Sequence, residues 1–472
     1  MGNMKYDSVI IGAGLSGLAS GIRLAQFGKN VLVVEKHNII GGLNSFYSRF
    51  GRKIDVGLHA ITNFVKKGIF KSPLSKLLRQ LRIPYDLLGL CEQNFSKIIL
   101  RDKVAKFSND FLLLESEIAR LFPKSIDAFR KLVESIRAFD AYNEDSRQDM
   151  STRTILSSLL QNRELEDMLL LPTLYYGSAR ENDVTWKQFV ILFRSIFLEG
   201  FARPFEGIRK ILALLVQKFQ ELGGEKRLRC EVQRIETSNG KVEGVVFSNG
   251  EFVKCDSVLS TIGYPETVKL YNREHFKETP KGQLSFCEAI AIFDRQPQDY
   301  GWNDTIIFFE KNPQFSYKKS SEEMATSSGV ICLPNNFNYD NGQSMKEGFL
   351  RVTALANYEK WKNLPATAYQ FMKKYCFDSL MEQAVKILGD KYLDFNVWKN
   401  NLLDRDFFTP LTIERFTGRV NGAIYGSPEK IYDGVLPIKN LFLCGTDQGF
   451  LGIIGSMLSG ISIVNRHLLL GK

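Results

Sequence analysis

The sequence has few of the residues that build metal sites and disulfide frameworks. It contains four histidines, His37, His59, His275 and His467, which is too few and too scattered for a three-histidine metal site. Neither a zinc-finger spacing nor another nucleic-acid-binding module is present. The seven cysteines form no Cys-x-x-Cys pair, which is typical of a reducing compartment. We therefore expect a cytoplasmic protein with no metal centre and no nucleic-acid partner.

Long hydrophobic runs are also lacking. The nearest candidate, residues 449–464, carries four glycines and three serines, so it predicts a buried helix rather than a bilayer span. A strand-like run starts near Tyr6, which leaves no room for a signal peptide before it. Any contact with a membrane is therefore expected to be peripheral.

Repeats and low-complexity segments are absent, and the 472 residues suffice for two large domains or three smaller ones. The net charge of +10 is partly concentrated in one basic stretch, residues 66–82. Its cations are Lys66, Lys67, Lys71, Lys76, Arg79 and Arg82. Such a stretch is either an ordinary solvated face or a surface attracted to anionic lipid head groups.

The strongest positive signal is a glycine turn, Gly12-Ala13-Gly14-Leu15-Ser16-Gly17, between an apolar strand pattern and a helical pattern. A second apolar run, residues 31–34, ends in Glu35, 23 positions after Gly12. In such a unit the glycines permit a tight turn, close approach of a pyrophosphate and close helix packing. The helix start offers free N–H groups to phosphate, and the acid accepts hydrogen bonds from a ribose diol. The pattern predicts a dinucleotide site.

The rest of the chain predicts a nucleotide-binding domain in three pieces, with a second domain inserted between them. Residues 65–201 have a mostly helical pattern, whereas short apolar runs and Asn-Gly turn signals from 227 onward indicate strands. The pieces expected in the nucleotide-binding domain are 1–65, 205–265 and 406–472. The inserted substrate domain would comprise a helical part, 66–204, and a sheet-containing part, 266–405.

Three further segments carry a resemblance to a known family. They are Asp55-Val56-Gly57-Leu58-His59, the segment from Thr409 to Gly426, and Asn440 to Asp447 with the glycine-rich helix start that follows. With the glycine turn and Gly41-Gly42, they make the chain resemble FAD-dependent oxidoreductases of the phytoene desaturase and amine oxidase superfamily. Within it, the chain looks most similar to the carotenoid isomerase and retinol saturase branch. The resemblance implies an α/β, Rossmann-like FAD-binding domain of the GR2 type with an inserted α+β substrate domain.

The resemblance also implies how FAD is held. Gly12, Gly14 and Gly17 would take the pyrophosphate, Glu35 the adenosine ribose, Gly42 the phosphates or ribityl chain, and Val232 the adenine. Thr261 would lie beside the cofactor, and Asp447 in the motif beginning at Gly445 would reach the ribityl chain or phosphate. The helix that includes Gly452 would direct its N-terminus at the flavin ring. Leu43 stands where many amine oxidases have a phosphate-binding arginine, and Thr446 separates the glycine from the acid of the last motif.

His59 and Tyr425 are the candidate catalytic residues. Reduction of a carbon–carbon double bond needs a proton as well as a hydride, and His59 is placed by its motif to supply one. Alternatively, His59 is hydrogen-bonded in the seam between domains, and Tyr425 is a packed aromatic beside a glycine turn. Asp55 is expected to be structural, and Arg203 and Glu206 are explained as well by capping and surface pairing as by substrate contact.

The residues Phe189, Phe193, Phe197, Phe201 and Phe205 recur about every four positions and form one helical stripe. This stripe is either ordinary core or the wall of an apolar channel for a long lipid. The leading interpretation is an FAD oxidoreductase that desaturates, saturates or isomerises a polyene or other isoprenoid lipid. The alternatives are a flavin oxidase of amines or porphyrinogens and a non-enzymatic prenyl-binding protein similar to Rab dissociation inhibitors. No second nucleotide unit is found, so a dedicated NAD(P) domain is not expected.

Overall fold

A computed structural model describes residues 5–57, 59–140, 149–389 and 394–470. Leu58, within one of the motifs above, lies outside these ranges. The strands are β1 (Tyr6–Ile11), β2 (Val31–Val34), β3 (Phe46–Arg49), β4 (Arg52–Asp55), β5 (Leu90–Glu92), β6 (Ser96–Leu100), β7 (Lys103–Phe107), β8 (Ala202–Pro204), β9 (Glu225–Arg227), β10 (Val232–Ser238), β11 (Lys241–Phe247), β12 (Phe252–Ser260), β13 (Ser285–Phe293), β14 (Ile306–Glu310), β15 (Ser328–Cys332), β16 (Gly348–Ala356), β17 (Leu402–Phe408) and β18 (Leu441–Leu443).

The helices are α1 (Leu15–Ala25), α2 (Pro73–Leu81), α3 (Phe111–Leu121), α4 (Ile126–Ala138), α5 (Thr152–Leu160), α6 (Arg163–Gly177), α7 (Trp186–Phe193), α8 (Ile208–Glu221), α9 (Tyr264–Tyr271), α10 (Arg273–Glu278), α11 (Tyr358–Lys362), α12 (Ala366–Leu388), α13 (Phe395–Asn400), α14 (Pro410–Thr417) and α15 (Gly452–Ile463). Among the described residues, no helix is both long and apolar enough to cross a bilayer.

The first sheet has the strand order β10-β11-β12-β1-β2-β9, and β18 pairs with β12. Its centre is parallel: β1 pairs with β2 on one side and with β12 on the other. These strands are apolar on both faces, as expected for a parallel sheet covered on both sides. They come from the three pieces of chain that the sequence analysis assigns to the nucleotide-binding domain.

Helices α1, α8 and α15 cover one face of this sheet. Helices α1 and α15 pack closely, since a Cβ on Gly460 would lie 2.4 Å from the carbonyl oxygen of Ser16. Helix α2 joins the same core through four leucines, Leu74, Leu77, Leu78 and Leu81. The sequence-based division instead places α2 in the inserted domain. The amphipathic pattern of α2 predicts a helix, but it does not reveal which sheet the apolar face of that helix covers.

The second sheet has the order β17-β13-β16-β15-β14-β6-β7 and is antiparallel except where β6 pairs with β14. Its strands are packed on both faces. Cys287, Ala289 and Ala291 of β13 join the core beneath α12, while Phe286 joins the core formed with α3 to α7. On that second face, Glu288 of β13 lies directly opposite Thr353 of β16.

The expectation that residues 65–201 are mostly helical is wrong between 90 and 107. Strands β5, β6 and β7 lie there, and β6 and β7 extend the second sheet. Strand β6 pairs on one side with its neighbour β7 and on the other with β14, which lies about 210 residues later and pairs Ile98 with Phe308. A short apolar run does not reveal its own period, so these pairings decide that it is a strand.

Candidate active site

A cavity of about 1240 Å³ lies between the two sheets. It is larger than the roughly 300–1,000 Å³ of most small-molecule sites, so it has room for a large cofactor together with a second ligand. One end is lined by Glu35 and Val232, and the other by Phe286, Tyr425 and Tyr176. The cavity therefore connects the glycine turn to the inserted domain.

The glycine turn forms one wall of this cavity. Gly12 has φ +104°, and a Cβ on it would lie 2.4 Å from Thr261 Oγ1. Gly17 does not line the cavity; a Cβ there would lie 2.0 Å from the carbonyl oxygen of Gly12, so Gly17 lets α1 pack onto the turn. Gly14 is the N-cap of α1 and lines the cavity, and Gly41 O is the nearest atom to its hypothetical Cβ at 3.9 Å. The open space beside Gly14 is therefore on the ligand side.

Glu35 is buried at the end of β2 and holds the turn in place. Its Oε2 accepts a hydrogen bond from the backbone N–H of Ala13 at 3.0 Å, and its Oε1 accepts one from the N–H of His37 at 3.0 Å. Each carboxylate oxygen keeps a second lone pair for another donor. Glu35 and Val232, which begins β10, both line this end of the cavity.

Four other predicted cofactor residues also line the cavity: Gly42, Thr261, Gly445 and Gly452. Thr261 Oγ1 donates to the carbonyl oxygen of Ile11 at 3.0 Å, which fixes the end of β12 beside the end of β1. Gly445 follows β18, and Gly452 begins α15. The two ends of the chain thus meet at one cavity, as the sequence motifs require.

Asp447 lies outside the cavity lining and is fully buried. Its Oδ2 accepts from the N–H of Tyr264 at 2.6 Å and from Arg419 at 3.2 Å, and its Oδ1 accepts from the N–H of Ser427 at 2.8 Å and from Lys430 at 3.5 Å. Thr446, the residue inserted before it, lines the cavity instead. The predicted contact of Asp447 with a ribityl chain is therefore absent from this arrangement, because protein groups occupy both carboxylate oxygens.

The far end of the cavity is largely apolar. Its walls include Tyr175, Tyr176, Phe286, Val330, Tyr425 and Leu451. The phenylalanine stripe is elsewhere: Phe189, Phe193, Phe197 and Phe201 are fully buried in the core of the helical layer, and Phe205 packs on Tyr339. Because none of these phenylalanines lines the cavity, the channel interpretation of the stripe is wrong and the core alternative holds.

His59 supplies a polar group to the cavity wall. Its Nε2 lies 3.2 Å from Glu288 Oε1 and 3.1 Å from Thr353 Oγ1. Glu288 Oε1 also accepts from Arg351 Nε at 2.8 Å. Burial lowers the pKa of His59, and the hydrogen bond to Glu288 opposes this effect. The Glu288 pKa is itself lowered, since the attraction of Arg351 and His59 outweighs the cost of burying the carboxylate.

Tyr425, the second candidate, also lines the apolar end. Its hydroxyl donates to the backbone carbonyl of Tyr175, and burial raises its pKa. Tyr425 packs edge-on against Phe286, with ring centroids 5.9 Å apart. The Tyr425 hydroxyl is thus bonded to a neutral carbonyl and its raised pKa opposes loss of its proton, whereas His59 is bonded to a carboxylate that favours its protonated form.

The sequence analysis missed Glu288, Thr353 and Arg351. Each lies inside an apolar strand, and only the pairing of β13 with β16 brings them together. Asp55 is structural, as expected: it is buried and binds Arg203 at 2.5 Å. Arg203 itself is buried, so of the alternatives left open for it surface pairing is wrong. A charged residue in an otherwise apolar run was the available signal for Glu288 and Arg351, and Thr353 offered no such signal.

The described residues fit a dinucleotide. The helix start at Gly14 has no side-chain cap, which leaves backbone N–H groups and the positive end of the helix dipole facing the cavity. Glu35 directly follows β2, the position at which a dinucleotide-binding unit carries its ribose acceptor. No cluster of histidine, cysteine and acidic residues in the described part of the chain could hold a metal ion.

The chain is similar to several known proteins over nearly its whole length. It is 23% identical to all-trans-retinol 13,14-reductase of Danio rerio, covering 98% of this chain and 86% of that protein. It is 22% identical to the chloroplastic prolycopene isomerase of Daucus carota, covering 98% and 80%. A solved oxidoreductase of Methanosarcina mazei has the same fold, with a TM-score of 0.66, 16% identity and coverage of 98% and 100%.

Residues 15–466 match the family described as flavin containing amine oxidoreductase. This match and the relatives confirm the resemblance inferred from the motifs and the α/β fold class with its FAD-binding domain. We conclude that the chain belongs to the flavin containing amine oxidoreductase family and is an oxidoreductase with FAD as its cofactor.

Proposed function

We propose that this protein acts on a carbon–carbon double bond of a hydrophobic polyene or other isoprenoid lipid, by desaturation, saturation or isomerisation. One observation carries the proposal: a single cavity connects the glycine cradle to an apolar chamber in which His59 is held by Glu288 and Thr353. Such a chamber suits a long apolar substrate, and a polar group on its wall suits proton exchange with that substrate. The names of the two relatives, a retinol reductase and a prolycopene isomerase, support this substrate class.

The lining residues support the following cofactor contacts. Gly12 and Gly14 would approach the pyrophosphate, with Gly17 maintaining the turn, Glu35 would bind the adenosine ribose and Val232 would lie at the adenine. Gly42, Thr261, Gly445 and Gly452 would line the remainder of the cofactor's path. Asp447 acts indirectly, by holding the segment that contains Arg419 and Lys430. When bound, FAD supplies hydride exchange with the substrate.

His59 holds or donates the proton that accompanies hydride exchange. Its neutral form is favoured by burial, and the Glu288 carboxylate preserves its ability to take up a proton. If Nε2–H donates to Glu288, the ring orientation and tautomer are fixed, in the way a carboxylate commonly orients a catalytic histidine. Arg351 keeps Glu288 ionised and in place. Tyr425 positions the apolar end through its hydrogen bond to Tyr175.

The chamber must exclude water for this chemistry to succeed. Tyr175, Phe286 and Leu451 provide apolar walls, and the hydroxyl of Tyr175 is satisfied by Ser328 Oγ at 2.8 Å. A dry chamber strengthens the interaction of His59 with Glu288 and limits proton leakage.

The substrate class implies that the protein meets a lipid phase. We propose peripheral contact with a membrane. The basic stretch 66–82 was the sequence-based candidate for this contact, and Ile69 and Phe70 within it are exposed. Two of its lysines have acidic partners at the surface: Lys66 pairs with Glu92 at 3.4 Å and Lys67 with Asp86 at 2.5 Å.

The test is anaerobic titration of the purified holoprotein with polyene lipids while the visible flavin spectrum is recorded. A polyene should bleach the oxidised flavin bands or restore them after reduction. The variant His59→Gln should keep the oxidised flavin spectrum but exchange electrons at least about a hundredfold more slowly, as expected on loss of a general acid. Hydrogen peroxide release with amines and no response to polyenes would contradict the proposal, and full turnover by the variant would remove His59 from the mechanism.

A further inference from the structure

Arg419 is a buried cation on the wall of the cavity. Of the described lysines and arginines that line the cavity, only Arg419 is buried, with 6% of its surface exposed. The partly or largely exposed ones are Lys36, Arg49, Lys269, Arg273, Lys373 and Arg415. Burial of a charge costs free energy unless partners compensate for it, so the position of Arg419 needs a physical reason.

Arg419 lies close to the glycine turn. A Cβ on Gly12 would lie 2.4 Å from Thr261 Oγ1, and a Cβ on Gly263, two residues after Thr261, would clash with Arg419 Nη1. Gly445 approaches the same place, since a Cβ on it would lie 3.9 Å from the carbonyl oxygen of Thr261. The guanidinium group therefore adjoins the point where the ends of β1, β12 and β18 meet.

Two carboxylates hold one nitrogen of this guanidinium group. Arg419 Nη1 donates to Asp447 Oδ2 at 3.2 Å and lies 4.0 Å from Glu266 Oε2. The backbone is held on both sides as well: the N–H of Arg419 donates to Thr417 Oγ1 at 3.2 Å, and the N–H of Val420 donates to Glu266 Oε1 at 2.7 Å. Protein contacts thus fix the orientation of the arginine without a ligand.

The other two nitrogens of Arg419 are left for a ligand. Within the residues that the structure describes, neither Nε nor Nη2 donates to a protein acceptor, whereas Nη1 faces the two carboxylates. Nε and Nη2 form one edge of the planar group, and such an edge binds two oxygens of a phosphate at once. Because Arg419 lines the cavity, a ligand in the cavity can accept both hydrogen bonds.

The rest of the phosphate cradle supplies only neutral donors. Helix α1 offers backbone N–H groups after Gly14, and Leu43 and Asn44, which follow Gly42 on the cavity wall, carry no charge. The pyrophosphate of a dinucleotide is a dianion, and a hydrogen bond from a charged donor is roughly twice as strong as one from a neutral donor. A buried arginine beside the turn supplies the positive charge that the turn lacks.

We infer that Arg419 binds the pyrophosphate of FAD through Nε and Nη2, while Asp447 and Glu266 keep Nη1 in place. The buried position of Arg419 then has two reasons, one carboxylate pair on the protein side and one anionic ligand on the cavity side. The inference rests on the proposed position of the pyrophosphate at the glycine turn, and it does not depend on the substrate.

Ligand affinity of the apoprotein tests the inference. The probes are FAD, followed by the quenching of its fluorescence, and ADP, which has a pyrophosphate group but no flavin or ribityl chain. Arg419→Lys keeps a charge for Asp447 but lacks the planar pair of donors, and Arg419→Met removes the charge. The matched control is Arg415→Met, since Arg415 also lines the cavity but is exposed.

Arg419→Lys should bind FAD and ADP at least about fivefold more weakly, by similar factors, and Arg419→Met at least about thirtyfold more weakly. Arg415→Met should change either affinity by less than about threefold, because solvent screens an exposed charge. Thermal unfolding of each apoprotein shows that it is folded during the titration. If Arg419→Met does not fold, the comparison of Arg419→Lys with the wild type decides.

Three results would overturn the inference. Wild-type affinities in Arg419→Lys would show that Arg419 only pairs with Asp447. Weaker binding of FAD with unchanged binding of ADP would place Arg419 at the flavin half of the cofactor. Losses in Arg415→Met as large as those in Arg419→Met would assign the effect to the total charge of the segment.

Gly14→Ala separates this inference from the proposed cofactor contacts. If Gly14→Ala weakens ADP binding while both Arg419 variants bind ADP normally, the pyrophosphate lies at the turn and Arg419 does not bind it. If Gly14→Ala and the Arg419 variants all bind ADP normally, the proposed position of the pyrophosphate fails together with the inference. No polyene is used, so failure of the proposed substrate class leaves these results unchanged.

Discussion

His59 Nε2 lies 3.2 Å from Glu288 Oε1, although the two residues are 229 positions apart. The histidine follows β4, and the glutamate lies in the middle of β13. The contact joins the segment after β4 to the second sheet. Four predictions follow from this and other buried contacts.

The variant Glu288→Gln should slow turnover and change its pH dependence. Glu288 raises the pKa of His59 against the effect of burial, so removing its charge lowers that pKa further. Less of His59 is then protonated at neutral pH, and a rate that needs the proton should fall by about tenfold or more and recover only at lower pH. The measurement is the pH profile of flavin reoxidation or reduction by the active polyene. Thr353→Val is the control, because it removes the hydrogen bond between Thr353 and His59 without removing a charge. A pH profile for Glu288→Gln that matches the wild type would contradict the role of Glu288.

Alanine at Gly14 and at Gly17 should have different effects. At Gly17 the new Cβ would lie 2.0 Å from the carbonyl oxygen of Gly12, so the helix must move and stability should fall by about 1–3 kcal/mol. At Gly14 the backbone has φ −75° and the nearest protein atom to a Cβ is 3.9 Å away, so the fold should be kept while flavin affinity falls. Thermal unfolding of the apoprotein and flavin absorbance after purification measure the two effects. Equal loss of apoprotein stability in both variants would contradict this assignment.

Glu199 should make the protein less stable as the pH rises from about 5 to 8. Burial raises its pKa from the usual 4.5 to about 7, with a hydrogen bond from Asn63 Nδ2 at 2.6 Å opposing the shift. Between these values the folded state holds a proton that the unfolded state has released, so stability falls with pH by up to about 3 kcal/mol. Glu199→Gln should remove this dependence and be the more stable protein at pH 8. Urea unfolding at several pH values tests this; parallel curves for the two proteins would exclude Glu199 as the source.

The variant Asp447→Asn should destabilise the fold by about 3–5 kcal/mol, because it leaves Lys430 buried without its counter-charge and Arg419 with Glu266, at 4.0 Å, as its remaining carboxylate. Burial already lowers the pKa of Lys430 to about 8, and Asp447 opposes that shift. Adding Lys430→Met should restore part of the stability by removing one unpaired cation. Thermal unfolding of the two variants gives the comparison, and a double variant no more stable than the single one would show that the charges are not the cause.

The local parts of the fold are predictable from the sequence because their signals are local. The turn from Gly12 to Gly17 and the acid Glu35 lie within one βαβ unit, so spacing alone places them. Helix α12 and strands β11 and β13 begin and end where the apolar patterns do. In each of these segments, the period of the apolar residues, the turn residues at its ends and the burial pattern favour the same type of secondary structure.

Long-range contacts are what the sequence did not reveal. Strand β6 joins the second sheet through its pairing with the distant β14, and Glu288 meets Thr353 and Arg351 only through the pairing of β13 with β16. The phenylalanine stripe has helical spacing whether it faces a core or a channel, so its period could not separate the two. The position of Asp447 was missed for another reason. Thr446 stands between Gly445 and the acid, so Thr446 lines the cavity and Asp447 faces away from it.

The first sheet draws β1, β12 and β18 from widely separated parts of the chain, and β18 is only three residues long. During synthesis, β12 cannot gain its last neighbour until residue 443 has emerged from the ribosome. Until then the apolar flanks of the unfinished sheet lack part of their cover, so the nascent protein should depend on chaperones and acquire its flavin only after β18 has paired.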